Sequence, residues 1–142
     1  MFSGCSGVTN IGKIINARPN NMSEMFDYCA KLRYLPEFVN LNLSGMHGWI
    51  NANFSSMFSS CYSLREIPED FLKQLYGAMT ITSYTLFSGG FYNCYVLDEI
   101  RGLNPQTGTI TSNAFYNTFD YCYRLKDVIF ALQDDGTPYT VN

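Results

Sequence analysis

Histidine and tryptophan each occur once among the 142 residues, and charged residues make up only 15%. With His47 as the sole imidazole, acid–base and metal-binding chemistry has little material to work with. Low charge excludes a coiled coil, and a hydrophobic content of 46% excludes a disordered tail. Nine Lys plus Arg against twelve Asp plus Glu leave a net charge of −3, which supplies no electrostatic footprint for gripping nucleic acid or an anionic membrane. Long apolar runs are also missing: Val128 to Leu132 falls far short of the roughly 18 residues of a membrane span. No basic segment followed by an apolar one stands at the N-terminus, so no secretory signal is visible. The expectation is one folded domain without a nucleic-acid partner and without membrane insertion.

What the chain has in excess is aromatic: eleven Phe and eleven Tyr, beside five Cys. The cysteines share one phase. Each has a Phe three residues before it, a Leu or Val three after it and a branched aliphatic three further on: Phe2-Cys5-Val8-Ile11, Phe26-Cys29-Leu32-Leu35, Phe58-Cys61-Leu64-Ile67, Phe91-Cys94-Leu97-Ile100 and Phe119-Cys122-Leu125-Val128. Every cysteine obeys the pattern, so the chain is built of repeats, centred on Cys5, Cys29, Cys61, Cys94 and Cys122.

An apolar residue also lies four places before the Phe in the later repeats, at Met22, Phe54, Phe87 and Phe115. Spacings of four and three fit one face of a short helix, with Ser23 and Ser55 at plausible N-cap positions, so Ser23 to Cys29 and Ser55 to Cys61 read as helical turns. After the last aliphatic, Gly12, Pro36 and Pro68 favour extended backbone. Each unit reads as short helix, tight corner and extended rung. The longer units carry insertions at 42–53 and 77–90. At the C-terminal end, Val128 to Leu132, then Asp134-Asp135-Gly136, then Tyr139 to Val141 signal a β-hairpin.

The string Asn21-Met22-Ser23-Glu24-Met25-Phe26-x-x-Cys29-x-x-Leu32-x-x-Leu35-Pro36, repeated as Ser56-Met57-Phe58-Ser59-Ser60-Cys61-Tyr62-Ser63-Leu64, resembles the BspA-like leucine-rich-repeat family and its less regular relatives. The resemblance implies an α/β leucine-rich-repeat solenoid of about five coils, with short strands on one side and short helices or turns on the other. Repeats of this kind occur in bacterial surface proteins, often adhesive, and in bacteriophage tail or virion proteins. Gly90 and Thr118 depart from the pattern where it has Met, and Arg101 and Ile129 where it has Pro.

Stacked repeats place equivalent cysteines about 4.8 Å apart with parallel Cβ vectors, which disfavours disulfides and spreads thiols along an axis instead of converging them on a metal. The cysteines therefore read as a buried, reduced ladder with Phe26, Phe58, Phe91 and Phe119 beside Cys29, Cys61, Cys94 and Cys122. His47 has neither an acidic neighbour nor a nucleophile, and no paired carboxylates suggest a cleft, so no enzyme activity, catalytic residue, metal or cofactor is expected. If the rungs stack in register, Glu66, Glu99 and Asp127 form an acidic row, read as a solvated face or a weak cation site.

The best functional lead is tyrosine. Tyr62, Tyr95 and Tyr123 directly follow a motif cysteine, and Tyr28 and Tyr121 directly precede one. Tyrosine suits binding surfaces, and it equally suits packing of ring on ring. The chain also begins inside the motif, so Phe2 and Val8 are read as an uncapped end of the stack, and the protein as an excerpt of a longer one or a docking end. The expected function is recognition of a protein or glycan on a host cell from a bacterial surface or phage virion. The alternative is a purely structural segment of a phage tail or capsid-associated protein, contacting neighbouring virion or assembly subunits; a second alternative is an enzyme with an unrecognised site in the loops.

Overall fold

The computed structural model describes residues 1–43, 54–72, 88–103 and 115–130. The hairpin beyond Phe130, His47, Phe87 and most of both insertions lie outside these residues.

Strand formation follows the rungs. β1 (Lys13–Ile15) pairs in parallel with β2 (Glu37–Val39), and β3 (Glu66–Ile67), β4 (Glu99–Leu103) and β5 (Asp127–Phe130) form a second parallel sheet in that order. Parallel neighbours need a long crossover, which the rest of each repeat provides. Registers hold the motif phase: Ile67 faces Ile100, and Ile100 faces Val128. The β4–β5 pairing shifts between Arg101 and Leu103, where Gly102 adopts a φ of 75° and absorbs a bulge.

The two sheets part where repeat three departs from the others. After Pro68 the chain makes a helical turn over 69–72, and Pro68 suits this start because the first N–H of a helix has no partner to lose. The turn drives Phe71 inward, 5.1 Å from Phe38 and 6.1 Å from Phe58 between ring centroids.

The expected helices before the cysteines are not helices. Ser23 to Cys29 and Ser55 to Cys61 are runs of consecutive turns with left-handed residues at Glu24, Tyr28, Ser56 and Ser60, φ 53° to 59°. The reason lies in the direction of alternate N–H groups. Those of Met25, Asp27 and Cys29 bond back three residues, while those of Glu24, Phe26 and Tyr28 bond across to Ser55, Met57 and Ser59. A continuous helix would turn every N–H along its own axis and forfeit the cross-repeat bonds. Ser23 is not a helix N-cap; its N–H donates to Asn21 Oδ1 at 2.7 Å.

The cross-repeat bond recurs at the same phase. Phe2, Phe26, Phe58 and Phe91 donate their N–H to Met25, Met57, Gly90 and Thr118 at 2.9–3.0 Å. Their rings and that of Phe119 consequently stack nearly parallel, with successive centroids 5.7, 5.6, 5.5 and 5.9 Å apart. Around this column Leu32, Leu64, Leu97, Met22, Phe54 and Met57 are fully buried. Among the described residues the fold is thus mixed, with short parallel strands joined by turns, little helix, and an apolar column at the centre.

Candidate functional site

The cysteines occupy the core beside the phenylalanines. Each thiol donates to the carbonyl of the motif Phe one repeat earlier: Cys29 to Phe2 at 3.1 Å, Cys61 to Phe26 at 3.1 Å, Cys94 to Phe58 at 3.2 Å and Cys122 to Phe91 at 3.0 Å. This thiol–carbonyl bond gives the motif a reason to use cysteine, since an alanine of similar shape could not make it. All five cysteines are free. Burial is less uniform than expected: Cys29, Cys61 and Cys94 are buried, whereas Cys5 and Cys122 are half-buried because each lies in an outer repeat. Desolvation pushes the Cys29 and Cys122 thiols up to about 11, and lifts Cys61 and Cys94 well above the ordinary thiol range. These groups are protonated at neutral pH and poor nucleophiles.

The tyrosines gather on the outside of the same turns. Tyr62 and Tyr95 stack at 4.9 Å between centroids, and Tyr95 and Tyr123 at 5.4 Å. Tyr28 meets Tyr62 edge-on at 5.9 Å, and Tyr121 meets Tyr123 edge-on at 6.1 Å. One continuous ridge therefore unites all five tyrosines named from the sequence. Tyr92, which is not adjacent to a cysteine and lay outside the pattern, joins it through Tyr121 at 5.3 Å. The ridge is open: Tyr28 is 51% exposed, Tyr121 50% and Tyr123 74%. Crowding shifts the phenols, with a hydrogen bond to Tyr62 raising Tyr28, and loss of solvent raising Tyr92 and Tyr95.

Tyr28 and Tyr121 share a further peculiarity: both lie in the left-handed region, φ 59° and 61°. Equivalent positions in the other repeats hold Gly4, Ser60 and Asn93, also with positive φ. A Cβ-bearing aromatic pays about 1 kcal/mol or more there. These two tyrosines thus carry a backbone cost that glycine would avoid.

Beside the ridge run two columns of charge. Neighbouring N–H to carbonyl bonds link Thr9, Arg33, Arg65, Asp98 and Lys126 in one column. In the next, Glu66 faces Glu99, and Glu99 faces Asp127, so the acidic row is in register. Arg101 pairs with Glu99 on this row. Lys13 and Glu37, opposite each other in the first sheet, pair at 2.8 Å with both ends exposed.

Phe2 is half-buried, its ring stacked on Phe26 and its N–H bonded to Met25; Val8 is half-buried as well. Among the described residues no group of three or more His, Cys, Asp or Glu is placed to hold a metal, and no helix is long and apolar enough to cross a membrane. No protein-family model matches the chain, and neither does any curated protein or solved structure.

Proposed function

We propose that this chain is a non-enzymatic, leucine-rich-repeat-type solenoid module whose tyrosine ridge recognises a protein or glycan partner. The observation that carries the reading is the open, continuous ridge of Tyr28, Tyr62, Tyr95, Tyr123 and Tyr121. Rings held against one another lose little rotamer freedom on binding, so they offer preorganised apolar area with hydroxyl tips. The recurring register and the resemblance to BspA-like repeats support a solenoid displayed on a bacterial surface or a virion.

A second reading is structural: the ridge packs ring on ring and is covered by neighbouring subunits of an assembly. The 4.9 Å stacking of Tyr62 on Tyr95 favours it, because stacked rings already shield part of each other's surface.

The test is a screen of the immobilised protein against arrays of glycans and of extracellular-matrix proteins, with Tyr123→Ser as control. The recognition reading expects hits that the substitution abolishes. Hits that survive both Tyr123→Ser and Tyr95→Ser would place recognition elsewhere.

A further inference from the structure

Between the tyrosine ridge and the charge columns lies a groove of about 220 Å³ lined by Arg33, Ser63, Arg65, Val96, Asp98 and Arg124. Ser63, Val96 and Arg124 each follow a ridge tyrosine in sequence, so the groove runs along the foot of the ridge, crossing four repeats. Its charge is lopsided, with three guanidinium groups and one carboxylate. Asp98 is engaged by Arg124, whose Nη2 lies 3.1 Å from Oδ1 and 3.4 Å from Oδ2.

Arg33 and Arg65 have no such partner. They sit on adjacent rungs, the Arg65 N–H donating to the Arg33 carbonyl at 3.2 Å, and among the described residues neither forms an ion pair. Like charges side by side on neighbouring segments of backbone repel. The fold therefore holds two exposed arginines on adjacent rungs, neither in an ion pair, in a groove whose one carboxylate, Asp98, is engaged by Arg124. Arginine forks match the paired oxygens of an oxyanion two bonds at a time, and the outer side of the tyrosine stack, whose faces lie on one another, offers ring edges and hydroxyl tips to a sugar. We infer that this groove binds an acidic oligosaccharide, its carboxylate or sulfate groups on Arg33 and Arg65 and its sugar rings along the outer side of the Tyr62, Tyr95 and Tyr123 stack.

The inference rests on the recognition reading above and narrows its partner to one chemical class. It also fixes the ligand's side of approach. Arg65 and Asp98 also border a cavity with Glu66 and Glu99, and these carboxylates would repel an acidic chain, so the ligand approaches Arg65 from the tyrosine side.

Titration calorimetry with hyaluronan fragments (carboxylate), heparin fragments (sulfate) and a neutral cello-oligosaccharide tests the proposal. Binding of one or both acidic fragments is expected, and the two arms distinguish the acid. Arg33→Gln and Arg65→Gln should each weaken it about tenfold, as loss of a charge-assisted contact does. A thermal-melting arm reads the same event, since the acidic fragment should raise the melting temperature of the native protein and not of the doubly substituted one. Equal binding of the neutral oligosaccharide, with no loss in the arginine variants, would overturn the acidic groove while leaving the ridge reading intact. Failure of every fragment to bind overturns the groove as well, and the array screen with Tyr123→Ser then decides the ridge on its own.

Discussion

The Cys61 thiol donates a 3.1 Å hydrogen bond to the Phe26 carbonyl, 35 residues earlier in the chain and one repeat away. That carbonyl also accepts the N–H of Cys29 within its own repeat. One oxygen thus ties a turn to itself and to its neighbour, and the same arrangement recurs at Phe2, Phe58 and Phe91.

Replacing Cys61 with alanine removes the cross-repeat bond and leaves a small void, but the Phe26 carbonyl keeps its other donor. The expected loss is about 1–2 kcal/mol, less than for a substitution that orphans a buried polar group. Urea denaturation measures it. An unchanged midpoint would mean that neither the thiol's hydrogen bond nor its volume contributes to stability.

The raised thiols make stability depend on alkali. A thiol whose folded pKa lies above its unfolded value holds its proton more tightly in the native state, so stability is fully present below the unfolded value and is lost as pH rises towards the folded one. For Cys29 and Cys122 the window runs from the ordinary thiol range near 8.5 up to about 11. Urea midpoints should hold steady from pH 7 to 8 and fall between pH 9 and 11. Cys29→Ala should flatten part of that slope; the same slope in this variant would assign the loss to other groups, the raised tyrosines first.

Phe58 lies between Phe26 and Phe91, its ring centroid 5.6 and 5.5 Å from theirs, and is fully buried. Its replacement by alanine should cost about 3–5 kcal/mol, the range for truncating a buried aromatic. Phe2 is half-buried and stacks on Phe26 alone, so the same change there should cost clearly less. Equal losses in guanidinium melts would contradict a linear column.

Tyr28 offers a test of backbone strain. At φ 59° alanine inherits the left-handed penalty, whereas asparagine tolerates it. Tyr28→Asn should be more stable than Tyr28→Ala by roughly 0.5–1 kcal/mol, although both lose the contact with Tyr62. At Tyr95, whose φ is not positive, the two substitutions should not differ in this way. A like difference at both positions would remove the strain argument.

Much of the interior was legible because the Phe, Cys and Leu spacing repeats with every cysteine, and the register of Ile67, Ile100 and Val128 follows from it. The helical reading of Ser23 to Cys29 failed because a spacing of four and three is shared by a helix and by a chain of turns. What separates them is the destination of each second N–H, which depends on a neighbouring repeat and leaves no local mark. Gly4 and Asn93 did hint at the left-handed phase, but Tyr28 and Tyr121 at equivalent positions concealed it. The ridge tyrosines next to cysteines were visible from their phase, whereas Tyr92 and the groove arginines depend on how turns fold over one another. Phe71 reaches the core only because repeat three breaks its rung after Pro68.

The most direct test of the ridge as a recognition surface compares binding with stability in one pair of variants, Tyr95→Ser and Tyr123→Ser. Tyr123 is 74% exposed and Tyr95 37%, so removing either ring should cost the fold about 1 kcal/mol or less, in line with an exposed aromatic pair. The recognition account predicts that both variants keep a near-native urea midpoint while losing at least tenfold in affinity for the partner that the array identifies. Variants that lose several kcal/mol of stability and bind that partner as tightly as the native protein, per folded molecule, would contradict it and make the ridge a structural stack.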